Sequence, residues 1–133
     1  MSISADVYAL QAKYGFNHEP LSANKLNLRV DQIEEEFNEM VNAFVHKDAE
    51  EFVDACIDIS VFALGTLALL GVDIDEAWAE VHAANMSKVR GVKPGREQSN
   101  GWDLIKPQGW EAPDHAGNTG FFSDAFCLRE VRQ

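Results

Sequence analysis

Apolar residues recur at three- and four-residue intervals along most of the chain, the period of helices packed on one side. Val7, Leu10 and Tyr14 hold that spacing behind Ser4, which predicts a first helix capped by Ser4 and stopped by Gly15. Residues 16–24 carry Asn, Pro and Ser and read as a loop. A second helix is expected from about Lys25 to His46, with Leu26, Val30, Ile33, Phe37, Met40 and Phe44 as its core-facing stripe. After a short connection at Lys47 and Asp48, a third pattern is apolar nearly all round from Phe52 to Leu70, which predicts a central, buried helix ended by Gly71. Asp73 and Glu76 are spaced as a capping box for a fourth helix ending near Gly91. No segment alternates as a strand should. Short links between long helices make neighbours antiparallel. The expected fold is all-α, an antiparallel four-helix-type bundle over residues 1–92.

From Val92 onward the periodicity stops. Pro94, Gly95, Gly101, Pro107, Gly109 and Pro113 punctuate residues 93–133, which are expected to form an extended arm packed on the bundle or on a neighbouring subunit. Trp102 and Trp110 are its expected docked anchors. Phe121, Phe122, Phe126 and Leu128 are too apolar for a free tail and predict a last short docked segment.

Composition narrows the classes. The chain has 133 residues, enough for one compact domain, and 46% of them are hydrophobic, which excludes a disordered acidic tail. A net charge of −11 argues against a nucleic-acid partner, because its Lys and Arg residues are few and scattered. A free polyanion is still compatible with such a chain if metal ions neutralise the site locally. Cys56 reads as a core filler, and with Cys127 it makes no disulfide framework. The N-terminus lacks a signal-peptide pattern, and the longest uncharged run, residues 59–72, is too short to span a bilayer. The expected location is the cytosol, with no membrane contact.

The chemistry lies in the acidic residues. On the second helix Glu35, Glu36 and Glu39 fall within about 100° of one another, beside Glu34. On the third, Glu51, Asp54 and Asp58 fall within roughly 60°. Two antiparallel helices can thus aim six carboxylates at one volume, which is unfavourable without a cation or protons. Taken alone, the glutamates of the second helix lie opposite its apolar stripe and read as a solvated face. Glu51 also fits a capping box with Asp48. Asp54 and Asp58 are harder to explain that way, because they sit among Phe52, Val53, Ala55, Cys56, Ile57 and Ile59. Arg29 is the side chain available as counter-charge; metal ions fit the number of oxygens better. An all-oxygen set suits Mg²⁺, Mn²⁺ or Ca²⁺. No histidine completes the Glu-x-x-His pairs of a di-iron bundle. On the fourth helix, the stripe of Ile74, Trp78 and Val81 continues through Asn85 and Lys88, which reads either as a frayed last turn with Lys88 offsetting the helix dipole or as a phosphate contact beside the metal site.

Glu35-Glu36-Phe37-Asn38-Glu39, then Glu51-Phe52-Val53-Asp54, resembles the EExxE…ExxD signature of MazG-like all-α NTP pyrophosphohydrolases. The stretches GVDIDEAWAEVHAANMSK and KPQGWEAPD resemble a compact phage and bacterial subgroup, so the likeness covers roughly residues 3–114. The resemblance implies cleavage between the α- and β-phosphates of a free nucleoside triphosphate, with two or three Mg²⁺ (or Mn²⁺) per active site, in a homo-oligomer (a dimer or a dimer of dimers). It implies Glu36, Glu39, Glu51 and Asp54 as metal ligands, Asp58 as an additional ligand, Glu35 and Glu36 as the catalytic pair with Glu35 on the attacking water, and Asn85 and Lys88 on phosphates. It also implies a leaning to GTP and dGTP over dUTP or dCTP. Two rivals stand beside it: a hydrolase of phosphoribosyl nucleotides, and a non-enzymatic helical assembly protein whose acidic face is merely solvated.

Overall fold

The computed structural model describes residues 2–127. Four long helices dominate it: α1 (Ile3–Lys13), α2 (Ala23–His46), α3 (Ala49–Leu69) and α4 (Ile74–Met86). Two three-residue strands follow, β1 (Val89–Gly91) and β2 (Asp103–Ile105), then a short helix α5 (Phe122–Ala125). The fold is all-α with an irregular C-terminal arm, as the periodicity predicts. Two compact units divide the chain. One contains the chain up to Ile74 together with the segment from Thr119; the other contains Asp75–Asn118, so α4 groups with the arm.

In the first unit, side-chain caps set the helix starts. Ser2, not Ser4, caps α1, accepting from the Ala5 amide at 3.1 Å; Ser4 is buried beside it. Ser22 caps α2 by accepting from Lys25, and Asp48 caps α3 by accepting from Glu51 at 3.1 Å. The turn between α2 and α3 needs only Lys47, in the left-handed region at φ 58°, and Asp48. At the far end of α3, Gly71 adopts φ 75°; its amide donates to Ala68 and that of Val72 to Leu67, a Schellman stop. The tail returns to this end, where Phe121 donates its amide to the Leu70 carbonyl at 2.8 Å and Ala125 is fully buried. A Cβ on Gly120 would overlap that carbonyl, so glycine is required there. The segment is thus anchored by the Phe121 amide and by Ala125, while the expected anchors Phe121, Phe122 and Phe126 are themselves exposed and Leu128 lies outside the described residues.

The α2–α3 register follows from two contacts. Arg29 reaches Thr66 and Phe62, and the Cys56 thiol points at the Met40 sulfur at 3.6 Å, so the helices run antiparallel. This register turns the expected stripe of α2 partly outward. Leu26 is buried and Ile33 and Met40 are half-buried, but Val30, Phe37 and Phe44 are exposed, Phe44 by 72%. Nor is α3 the buried helix its composition predicts: Ala55 and Gly65 are buried, while Val53 and Ile57 are exposed. Among the described residues no large side chain is fully buried, because so much apolar surface faces outward. By length and composition α3 could cross a membrane, contrary to the expectation from its uncharged run alone. It carries Glu50, Glu51, Asp54 and Asp58 in its first half and packs between α1 and α2, as a bundle helix does.

In the second unit, α4 stops at Met86, short of the expected Gly91, because Val89–Gly91 pairs antiparallel with Asp103–Ile105. Strands of three residues are too short to show alternation, which is why the sequence conceals them. A Cβ at Gly91 would meet the Ile105 side chain at 2.7 Å, so the pairing selects glycine there. Arg96 closes the loop on Asp103 at 2.9 Å. Of the two expected anchors, Trp110 is docked: its indole N–H donates to the Ala84 carbonyl at 2.9 Å. Trp102 is 85% exposed, a departure from expectation: it lies in the turn ahead of β2, its amide donating to the Ser99 carbonyl.

Candidate active site

The carboxylates of α2 and α3 come together as helical spacing and antiparallel register require. Glu36 and Glu39 lie three residues apart on α2. Glu51, Asp54 and Asp58 lie on successive turns of α3. Each helix feels the other's charge. Loss of hydration, then a hydrogen bond with Glu39, then the charges of Glu39, Asp58 and Asp54 push the Glu36 carboxyl up to about 7. Glu51 is raised by lost hydration and then by Glu39, Asp54, Asp48 and Asp58. Asp58 is raised by lost hydration and then by Asp54 and Glu39. Five of the six expected carboxylates therefore form one repelling set. Glu35 is exposed on α2 and does not contribute to these shifts.

Two local details separate this set from a solvated face. Glu36 is half-buried, and its Oε2 is enclosed without a hydrogen-bond partner. The capping box at Asp48 is only half made: Asp48 accepts from Glu51, but its own amide donates to Ala43 at 2.9 Å, so the cap does not require the Glu51 carboxylate. Asp54, by contrast, is exposed rather than embedded among its apolar neighbours. What singles it out is charge, since it raises Glu36, Glu51 and Asp58 alike.

Arg29 is not the counter-charge. Its guanidinium donates to the Thr66 hydroxyl and the Phe62 carbonyl, both at 3.0 Å, and lies 5.1 Å from the Phe62 ring centre. Burial lowers its pKa. Gln11, 3% exposed, meets it above Gly65, where an added Cβ would stand 2.6 Å from the guanidinium and 2.7 Å from the Gln11 amide. This crossing of α1, α2 and α3, where the Gln11 Oε1 is buried without a hydrogen-bond partner, has no periodic signature in the sequence and is missed by pattern reading.

The donor set fits hard divalent cations, being five carboxylates with one orphaned buried oxygen. Among the described residues, no three acidic, His or Cys side chains are yet gathered closely enough to hold an ion, so binding requires their rotamers to converge. Asn85 and Lys88 lie in the second unit. Asn85 is exposed near the end of α4, and Lys88 sits just beyond that helix, its amide donating to the Asn85 carbonyl.

Because the repelling set titrates upward, stability depends on pH with a definite sign. The Glu36 carboxyl binds its proton more tightly folded than unfolded, its pKa rising from 4.5 to about 7. The favourable contribution is complete below 4.5 and is lost as pH rises through about 7. In EDTA the urea midpoint should therefore be lower at pH 8 than at pH 5, and Glu36→Gln should flatten the difference. A midpoint that rises over that interval, equally in both proteins, would contradict the clustering.

Helices bearing paired acidic motifs on facing surfaces define a class, the all-α nucleotide pyrophosphohydrolases. Residues 11–85 match the phosphoribosyl-ATP pyrophosphohydrolase family, and the chain belongs to that family, within the MazG-like all-α NTP pyrophosphohydrolase superfamily. The match contains all six carboxylates and Asn85, and stops before Lys88 and the arm. No curated protein matches the chain.

Proposed function

We propose that the protein hydrolyses a nucleoside triphosphate to the monophosphate and pyrophosphate, at the carboxylates of α2 and α3. The observation that carries this is the five-carboxylate set with its raised Glu36, within a chain of pyrophosphohydrolase family. Glu36, Glu39, Glu51, Asp54 and Asp58 would hold two or three Mg²⁺ or Mn²⁺ ions. Bound there, the ions would neutralise the phosphates and acidify a water. Glu36 would ligate the ions, which relieve the repulsion that raises its carboxyl, and Glu35, on the adjoining position, would hold the attacking water and accept its proton. Asn85 and Lys88 bind phosphate oxygens. The guanine preference rests on resemblance alone. The family match favours a second substrate, a phosphoribosyl nucleotide, whose α–β anhydride is the same bond.

The exposed apolar side chains of α2 and α3, Val30, Phe37, Val41, Phe44, Val53 and Ile57, support a homo-oligomer in which a second copy covers them. A cytosolic location goes with a free nucleotide substrate, and the net charge of −11 supports no nucleic-acid or membrane partner. Sedimentation at the mass of one chain would remove the oligomer from this proposal.

A panel of NTPs, dNTPs (dGTP, dUTP and dCTP included) and phosphoribosyl-ATP, with Mg²⁺ or Mn²⁺, tests the reaction. The expected products are a monophosphate and pyrophosphate from the preferred triphosphate, or phosphoribosyl-AMP and pyrophosphate from the phosphoribosyl nucleotide. A diphosphate with orthophosphate would sink the cleavage position, and no turnover on any of them would return the acidic face to an assembly role.

A further inference from the structure

The second unit holds a cation cluster that the acidic motifs do not account for. Lys88 and Lys106 both place their ammonium groups against the indole of Trp110, 5.2 Å and 4.9 Å from the ring centre. Trp110 is itself fixed. Its N–H is held by the Ala84 carbonyl at the end of α4, and its amide closes a turn on Pro107 in which Gly109 takes φ 77°. The neighbouring arginines are committed elsewhere: Arg90 donates to the Gly101 carbonyl at 2.7 Å, and Arg96 pairs with Asp103. Among the described residues, neither Lys88 nor Lys106 is in a salt bridge.

Each ammonium gains a modest attraction from the ring, on the order of 1 kcal/mol. Against that, two like charges on one side chain repel. In a chain with net charge −11, the simple relief for either lysine would be a carboxylate, yet the fold brings them to an indole instead. An anion with several oxygens can bridge both ammonium groups and remove the repulsion, which a single neutral partner cannot do. A cleft of about 450 Å³ beside the same indole is lined by Glu80 and Glu111 and by neither lysine, so an anion belongs on the two ammonium groups and not in the cleft.

We propose that Lys106 is a second phosphate-binding lysine, paired with Lys88 on the Trp110 indole, and that the ligand class is a di- or triphosphate chain. The inference deepens the proposed function and rests on it for the identity of the anion. It gives the arm a role in substrate binding, with Trp110 as the positioning residue that brings Lys106 to the end of α4.

The test uses the full chain with Trp78→Phe and Trp102→Phe, both exposed positions, so that Trp110 is the remaining indole. Sodium tripolyphosphate is titrated in EDTA while indole fluorescence is read. A saturable change is expected, because the anion draws the ammonium groups off the ring. Lys88→Gln and Lys106→Gln should each weaken the apparent affinity about tenfold, and added NaCl should weaken it further. The absence of saturation, an unchanged affinity in Lys106→Gln, or an equal response to sodium sulfate at matched ionic strength would each overturn the proposal. In kinetics, Lys106→Gln should raise KM for the triphosphate while keeping kcat. Because the titration needs neither metal nor turnover, it decides the role of Lys106 even if the hydrolase mechanism fails.

Discussion

Replacing Asp54 by Asn should raise the melting temperature of the protein in EDTA while cutting turnover by about a hundred- to thousandfold. The first effect follows from charge: Asp54 raises the carboxyls of Glu36, Glu51 and Asp58, so neutralising it relieves three repulsions at once. The gain should appear as a higher melting temperature without metal, and it should shrink as added salt screens the cluster. The second effect follows from the site. Asparagine keeps the shape but removes one anionic ligand, and the lost charge stabilisation of the transition state is about 3–4 kcal/mol. Mn²⁺ at a hundred times its dissociation constant should add about 2.7 kcal/mol to the wild type by mass action, and much less to the variant. Paired melting curves in EDTA and Mn²⁺, with turnover on the best substrate, separate the outcomes. An equal metal response in both proteins, or retained turnover, would take Asp54 out of the site; a merely solvated acidic face predicts both of those results.

Gly65→Ala should destabilise the protein by about 1–3 kcal/mol, against the helix-propensity gain of about 1 kcal/mol that this exchange brings in an open helix. The new Cβ would stand 2.6 Å from the Arg29 guanidinium and 2.7 Å from the Gln11 amide. Both groups are side-chain ends and can retreat, but Arg29 would then give up its bonds to Thr66 and Phe62, and Gln11 is nearly sealed. Denaturant midpoints decide the sign. A stabilised Gly65→Ala would mean that the guanidinium is held loosely, and that the α1–α2–α3 junction is not locked by it.

The helices and the acidic set are legible in the sequence for a common reason: both are periodic. Carboxylates three, four and seven residues apart must share a face, whatever packs against them, so Glu51, Asp54 and Asp58 group together without coordinates. What escapes depends on contacts between distant residues. Hydrophobicity assigns the stripe of α2 to the core, yet the contact face of that helix is set by where Arg29, Glu36 and Met40 meet α3. Trp102 and Trp110 look alike in sequence, but only Trp110 finds a carbonyl for its N–H, at Ala84. The arm hairpin is three residues a side, too short to carry a pattern. Lys106 escapes because a lone lysine in a Pro- and Gly-rich stretch carries no spacing at all.

The single left-handed residue between α2 and α3 also bears on how fast the protein folds. With Lys47 and Asp48 as the whole connection, these helices are joined by one of the shortest closures available to the chain. Such a hairpin costs little loop entropy and forms early. It is also the element that forces the acidic faces together, before the rest of the bundle can compensate. The electrostatic penalty therefore falls on the folding barrier and not only on the finished state. Mild acid, and the divalent cations proposed for the site, should then act chiefly by hastening folding and leave the unfolding rate comparatively unchanged, which stopped-flow refolding and unfolding at pH 5 and pH 8 would check.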